Sequence, residues 1–211
     1  SPTTVGPIWS EYATATPSGA SSVVGYTTVP FNNSLLPGNF LSANGVFPWD
    51  ALVDPQNGRL YVVENSNSVT IVDPSANRAV GGISVGVFPN RIAFDPSNGR
   101  LYVTNGGSGS VSVIDGATDR VVASIPVGVS PQGVAFDSLN GHVYVADPDS
   151  NKVWVINPGT NQVTGSIDDP YPASIAFDPA NGHLYASLFQ ANEVSVIDGV
   201  TNTVVGTLSV G

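Results

Sequence analysis

The chain has 211 residues, with 6 Lys+Arg against 16 Asp+Glu, no Cys, no Met, 23 Gly and 17 Pro. That length suits one all-β domain, and 41% hydrophobic against 10% charged residues excludes a disordered polyelectrolyte. A net charge of −10, with Lys152 and five scattered arginines as the only fixed cations, argues against a nucleic-acid partner.

Zero Cys removes disulfides, thiolate zinc sites and Cys nucleophiles together. No apolar run approaches the ~20 residues needed to span a bilayer, so membrane insertion is not expected. The chain starts at Ser1 rather than Met, and the expectation is a protein that has lost a leader and works outside the cell or on its surface.

Residues 1–44 come first and differ from the rest. Ser, Thr, Pro and Gly supply 22 of these 44 positions, and Glu11 is the only charged side chain. Ser22–Val29 nevertheless resembles Thr203–Val210, so an N-terminal β extension with strands over 8–30 is expected. Asn32-Asn33-Ser34 is the only Asn-x-Ser/Thr acceptor, which makes Asn32 the expected glycosylation site, with Thr14, Thr16 and Ser18 open to O-linked sugars.

From residue 45 onward one period governs everything. Asp-Pro-x-Asn-Gly turns begin at Asp54, Asp95 and Asp178, and a variant begins at Asp137. Tyr61, Tyr102, Tyr144 and Tyr185 follow in step, and Pro48, Pro89, Pro131 and Pro172 precede in step. Strands are expected near 51–54, 60–64, 69–73 and 79–85, recurring every ~42 residues. Four strands per ~42 residues is the unit of a β-propeller blade, which must stack on neighbours to bury its faces. The fold class is therefore all-β, a β-propeller with blades over 45–85, 86–127, 128–168 and 169–211. Four blades leave two alternatives, a closed four-bladed ring or an arc completed by a neighbour.

Tyr102-Val103-Thr104-Asn105, with Ile92–Arg100 before it and Val111–Gly116 after it, resembles the YVTN β-propeller repeat of secreted and surface-layer proteins. The resemblance spans roughly residues 45 to 211 and implies a fold more than an activity.

Residue chemistry gives few candidates. His142 and His183 fall at hairpin exits, and the recurrent aspartates fit turn capping. Asp147 and Asp149 form a weak cation candidate that lacks the glycine and glutamate of a calcium loop, and Asp168 and Asp169 form a second. No catalytic set and no cofactor site emerge, so the chain is expected not to be an enzyme. Apolar residues stand where other repeats carry polar or small ones at Trp49, Trp154, Leu188 and Phe189. These, with Val23, Val24 and Tyr26, are candidate interface positions, local packing being the alternative. The reading is a structural subunit of an extracellular filament or surface layer, a homopolymer joined through its N-terminal extension, with glycans as possible partners. The alternative is a ligand- or glycan-binding propeller, or a piece of a larger lactonase-like ring.

Overall fold

The computed structural model describes residues 47–210, and the expected strands over 8–30, Asn32, Val23, Val24 and Tyr26 lie outside the described residues. Sixteen strands form four antiparallel meanders. The first blade holds β1 (Pro48–Val53), β2 (Leu60–Glu64), β3 (Ser68–Asp73) and β4 (Arg78–Ser84). The second holds β5 (Pro89–Asp95), β6 (Arg100–Asn105), β7 (Ser110–Asp115) and β8 (Arg120–Pro126). The third holds β9 (Val134–Asp137), β10 (His142–Asp147), β11 (Lys152–Asn157) and β12 (Gln162–Asp168). The fourth holds β13 (Pro172–Asp178), β14 (His183–Leu188), β15 (Glu193–Asp198) and β16 (Thr203–Ser209). Among the described residues, helix is confined to single 3-10 turns at Gly106–Ser108 and Pro148–Ser150.

The turns form as their side chains dictate. Asp54, Asp95, Asp137 and Asp178 each accept the backbone N–H two residues on, at 2.8–2.9 Å. Gly58, Gly99, Gly141 and Gly182 then take φ of +68° to +74°, where a Cβ is strained. Asp73, Asp115, Asn157 and Asp198 cap the outer hairpins in the same way. Every blade also carries one bulge between its third and fourth strands, at Ile71/Val72, Val113/Ile114, Val155/Ile156 and Val196/Ile197.

Successive blades stack face to face through three apolar cores. The front of the first blade (Tyr61, Val63, Val69, Ile71, Ile83) meets the back of the second (Ile92, Leu101, Val103, Ile114). Tyr102, Val111, Val113 and Ile125 meet Val134, Val143, Val145 and Ile156 in the next. Tyr144, Val153, Val155 and Ile167 meet Ile175, Leu184, Ala186 and Ile197 in the last. Burying each such side chain stabilises the stack by roughly 1.5–3 kcal/mol. Inner strands pack in series, β1 on β5, β5 on β9 and β9 on β13. A closed ring of four would need a fourth core, between the last blade and the first. Instead Leu208 is 50% exposed, while its counterparts Ile83, Ile125 and Ile167 are 5%, 2% and 5% exposed. The described blades therefore form an open arc rather than a closed ring of four.

Polar latches at the turn end reinforce the stack. Asn57 Nδ2 donates to Gly116 O at 2.9 Å, the Tyr61 hydroxyl donates to Asp119 Oδ1 at 2.7 Å, and Arg59 forms an ion pair with Asp119. Between the third and fourth blades, Asn140 Nδ2 donates to Gly199 O at 2.7 Å and the Tyr144 hydroxyl to Asn202 Oδ1 at 2.6 Å. Between the second and third, Pro158 replaces that glycine, and Arg100 Nη1 reaches Pro158 O at 3.2 Å and Asn161 Oδ1 at 3.4 Å.

Candidate functional site

At the inner edge of the arc, Trp49, Asn90, Arg91, Gln132 and Ala173 line one cavity of about 120 Å³. Four of these are the residues directly after the repeat prolines Pro48, Pro89, Pro131 and Pro172, one from each blade. A break in strand pairing explains their direction. The ladder skips Trp49 between Pro48 and Asp50, skips Asn90 and Arg91 between Pro89 and Ile92, and skips Ala173 between Pro172 and Ser174. A bulge of this kind frees a side chain from the sheet and re-aims it. Gln132 stands just ahead of β9, and its N–H donates to Ala146 O at 2.8 Å.

The lining is cross-braced. Asn90 Nδ2 donates to Pro131 O at 3.2 Å, tying the second blade to the third. Arg91 Nη1 donates to Trp49 O at 3.2 Å and to Asn90 O at 3.1 Å, so backbone carbonyls orient the cation. The Thr104 hydroxyl donates to Gln132 O at 2.6 Å and accepts from Arg91 N at 3.1 Å. Arg91 is the only charged side chain lining the cavity, so the local field favours an anionic or carbonyl-bearing ligand.

The loops at this end carry aromatic residues. Phe47 and Phe88 are each 62% exposed, and Tyr171 is 39% exposed. All three directly precede a repeat proline. Phe88 and Tyr171 adopt φ of +50°, a conformation that bulky residues avoid. Each is held there by its own N–H, which donates at 3.1 Å to the side chain of Asn67 and of Asn151 respectively. Strain of this kind, maintained by a dedicated asparagine, clusters at ligand sites.

The candidates singled out from sequence fall in varied places. Trp49 enters the cavity. Trp154 is packed in the core between the second and third blades, its Nε1 donating to Asp147 at 3.2 Å. Leu188 is buried at 5% exposure, whereas Phe189 is 80% exposed beside Tyr171, its N–H donating to Tyr171 O. Leu188 is thus buried and Trp154 is half-buried against the core, the local packing that was the alternative for both. Ser112 and Ser195, at the repeat position of Trp154, are also buried, because the preceding blade covers that face, and Thr70 of the first blade is buried with its hydroxyl donating to Glu64 Oε1 at 2.8 Å. Arg91, Phe88 and Tyr171 did not stand out from sequence, although each lies within two residues of a proline marker.

The acidic candidates do not assemble a cation site. Asp147 is buried and accepts from Val129 N, Ser130 N, Ser150 and Trp154, which occupies its oxygens with donors. Asp149 is exposed, and Asp168 is exposed and paired with Lys152 at 2.5 Å. Asp169 is buried, Oδ1 accepting from the Ser195 hydroxyl at 2.6 Å while Oδ2 has no partner, and burial raises its carboxyl above the usual range. No group of three or more His, Cys, Asp or Glu side chains among the described residues could hold a metal. His142 and His183 sit half-buried at their hairpin exits.

Comparison with known proteins places this geometry in context. The SMP-30/Gluconolactonase/LRE-like region family matches residues 47–190. No curated protein sequence matches the chain. Hydrazine synthase of Kuenenia stuttgartiensis is similar in structure, with a TM-score of 0.70 at 29% identity over 76% of this chain and 48% of that one. A mitotic checkpoint complex structure has the same TM-score at 12% identity, over 81% of this chain and 53% of the other, a likeness of fold alone. The chain thus spans about half the length of the solved structures it matches. The family match overturns the expectation that the chain is not an enzyme, since the family is named for a lactonase.

Proposed function

The chain belongs to the SMP-30/gluconolactonase/LRE-like family, and from that premise we propose that it binds and opens a small polyhydroxylated lactone at the cavity of Trp49, Asn90, Arg91 and Gln132. The convergence of these residues from successive blades on one cavity is the observation that carries the reading. An indole gives a flat apolar wall for the C–H face of a sugar-like ring, and two carboxamides match its hydroxyls. Arg91 would donate to the lactone carbonyl oxygen and stabilise the negative charge that builds there. Water adds to the carbonyl carbon, the ring C–O bond breaks, and the proton passes to the departing alkoxide. The product hydroxy acid then carries a carboxylate that Arg91 can pair with.

The YVTN type of the repeats and an extracellular location belong to this reading as proposals. They are supported by Tyr102–Asn105 and by the low lysine content. A purely structural role in a filament or surface layer gains nothing from the family match, which favours the ligand-binding alternative.

The test is acid release from glucono-lactone by the purified chain, corrected for spontaneous hydrolysis, alongside tryptophan fluorescence. Turnover that falls at least about tenfold in Arg91→Ala, with the saturable fluorescence change lost in Trp49→Phe, is expected. A chain giving neither turnover nor a saturable fluorescence change would refute the reading.

A further inference from the structure

The residue after each repeat proline lines the cavity, and three of the four are large: Trp49, Asn90 and Gln132. The fourth blade supplies only the methyl group of Ala173, half-buried at the same repeat position. Its backbone has not drawn away to match. Gly133 follows Gln132, and a Cβ on it would lie 3.0 Å from Ala173 O and 2.8 Å from Ser174 Cα. The fourth blade therefore abuts the third, and the space beside Ala173 comes from missing side-chain atoms rather than from a gap between blades. Arg91 decides which part of a ligand meets that space. Its guanidinium is tied to Trp49 O and Asn90 O, on the first and second blades. The inner strands pack in the order β1, β5, β9, β13, so Ala173 on β13 lies two blades beyond Arg91 on β5. In a six-membered lactone whose carbonyl oxygen meets Arg91, the far atoms are the ring carbon opposite the carbonyl and its neighbour. In the lactone of a six-carbon sugar acid, that neighbour carries the exocyclic hydroxymethyl group.

We infer that Ala173 sets the substrate class of this site: it leaves room for an exocyclic carbon on the far side of the ring, so the cavity takes lactones of six-carbon sugar acids. The inference rests on the lactone reading above and names the residue that determines specificity within it. A longer side chain at this position would close the space while leaving the blade intact. The strand ladder skips Ala173 between Pro172 and Ser174, so pairing does not depend on its side chain. Asn90 and Gln132 show that the repeat accepts a carboxamide directly after its proline. Such a carboxamide at residue 173 would reject the hydroxymethyl group by occupying its place, and a ring lacking that group would still fit.

Two lactones test this on the full chain, with acid release corrected for spontaneous hydrolysis. Glucono-1,5-lactone carries the hydroxymethyl group; xylono-1,5-lactone keeps the ring and its hydroxyls and lacks only that group. The unsubstituted chain is expected to turn over both. In Ala173→Gln, kcat/KM for the glucono-lactone should fall at least about tenfold while that for the xylono-lactone stays within about twofold. Ala173→Asn, with a shorter side chain, should show the same split at smaller size, and it carries the test if the glutamine variant does not fold. A general loss of structure would lower both substrates together. Equal losses on the two lactones, no loss on either, or a xylono-lactone that the unsubstituted chain leaves intact would overturn the inference while the lactone reading stands. Absence of glucono-lactone turnover in the unsubstituted chain would overturn both.

Discussion

The Tyr144 hydroxyl donates to Oδ1 of Asn202 at 2.6 Å, joining the second strand of the third blade to the outer turn of the fourth across 58 positions of sequence. The ring of Tyr144 is wholly buried in the core between the two blades. One residue thus serves both the apolar and the polar part of blade stacking. Tyr185 holds the same repeat position in the last blade, and its hydroxyl accepts only from Asn181.

Removing these two hydroxyls should therefore have unequal effects. Tyr144→Phe leaves the buried ring in place but strands Asn202 Oδ1, and is expected to cost about 1–2 kcal/mol in urea unfolding. Tyr185→Phe should cost less than about 0.5 kcal/mol, as a surface change does. Equal losses would show that the latch contributes nothing between blades.

Alkaline pH tests the same latches. Burial, aided by Asp119 for Tyr61, pushes the hydroxyls of Tyr61 and Tyr144 from 10.0 up to about 12. Between those values the folded state keeps protons that the unfolded chain releases, so this contribution is whole below pH 10 and is lost as pH rises to about 12. Stability measured from pH 9 to 12 should fall, and the fall should shrink in Tyr144→Phe.

Asp169 presents the opposite case to a stabilising carboxylate. Its N–H donates to Asn151 O, as Val85 donates to Asn67 O, Val127 to Gly109 O and Val210 to Asn192 O, so an acid stands where the other three blades place a valine. With the folded carboxyl raised above 3.8, the favourable contribution is present below that pH and is lost as pH rises through the folded value. Asp169→Asn keeps an acceptor for Ser195 and removes the buried charge. The variant should melt at a higher temperature than the parent at pH 7, with the gap closing near pH 3; no gap at pH 7 would contradict this.

Gly133 sits where the third and fourth blades approach closely beside the cavity. A Cβ there would lie 2.8 Å from Ser174 Cα and 2.9 Å from Ile175 N, both backbone atoms that cannot step aside. Gly133→Ala is expected to destabilise by about 1–3 kcal/mol, as overpacking does. Gly165 has open space at its Cβ, so Gly165→Ala should be neutral or stabilise by up to about 1 kcal/mol. Thermal melts of the two variants distinguish them.

Much of this architecture was readable in the sequence, and the reasons are local. Asp-Pro-x-Asn-Gly names its own turn, and strands expected at 60–64 and 69–73 occur at Leu60–Glu64 and Ser68–Asp73. Alternation in Val111–Val113 reads like a sheet with one wet face, yet Ser112 is buried, because only the stacking of a preceding blade decides what covers that side. The cavity was less legible still. Arg91 reaches it through a bulge, and a bulge breaks the period-two pattern by which side-chain direction is read.

That bulge has a consequence for how such a chain can change. Trp49 and Ala173 stand outside the strand ladders, so strand pairing does not depend on which side chain each carries, whereas Asn90 also braces the second blade to the third. Chemistry at the cavity and integrity of the blades are thereby uncoupled. New specificities can be written into these positions, one blade at a time, while the scaffold that presents them stays unaltered.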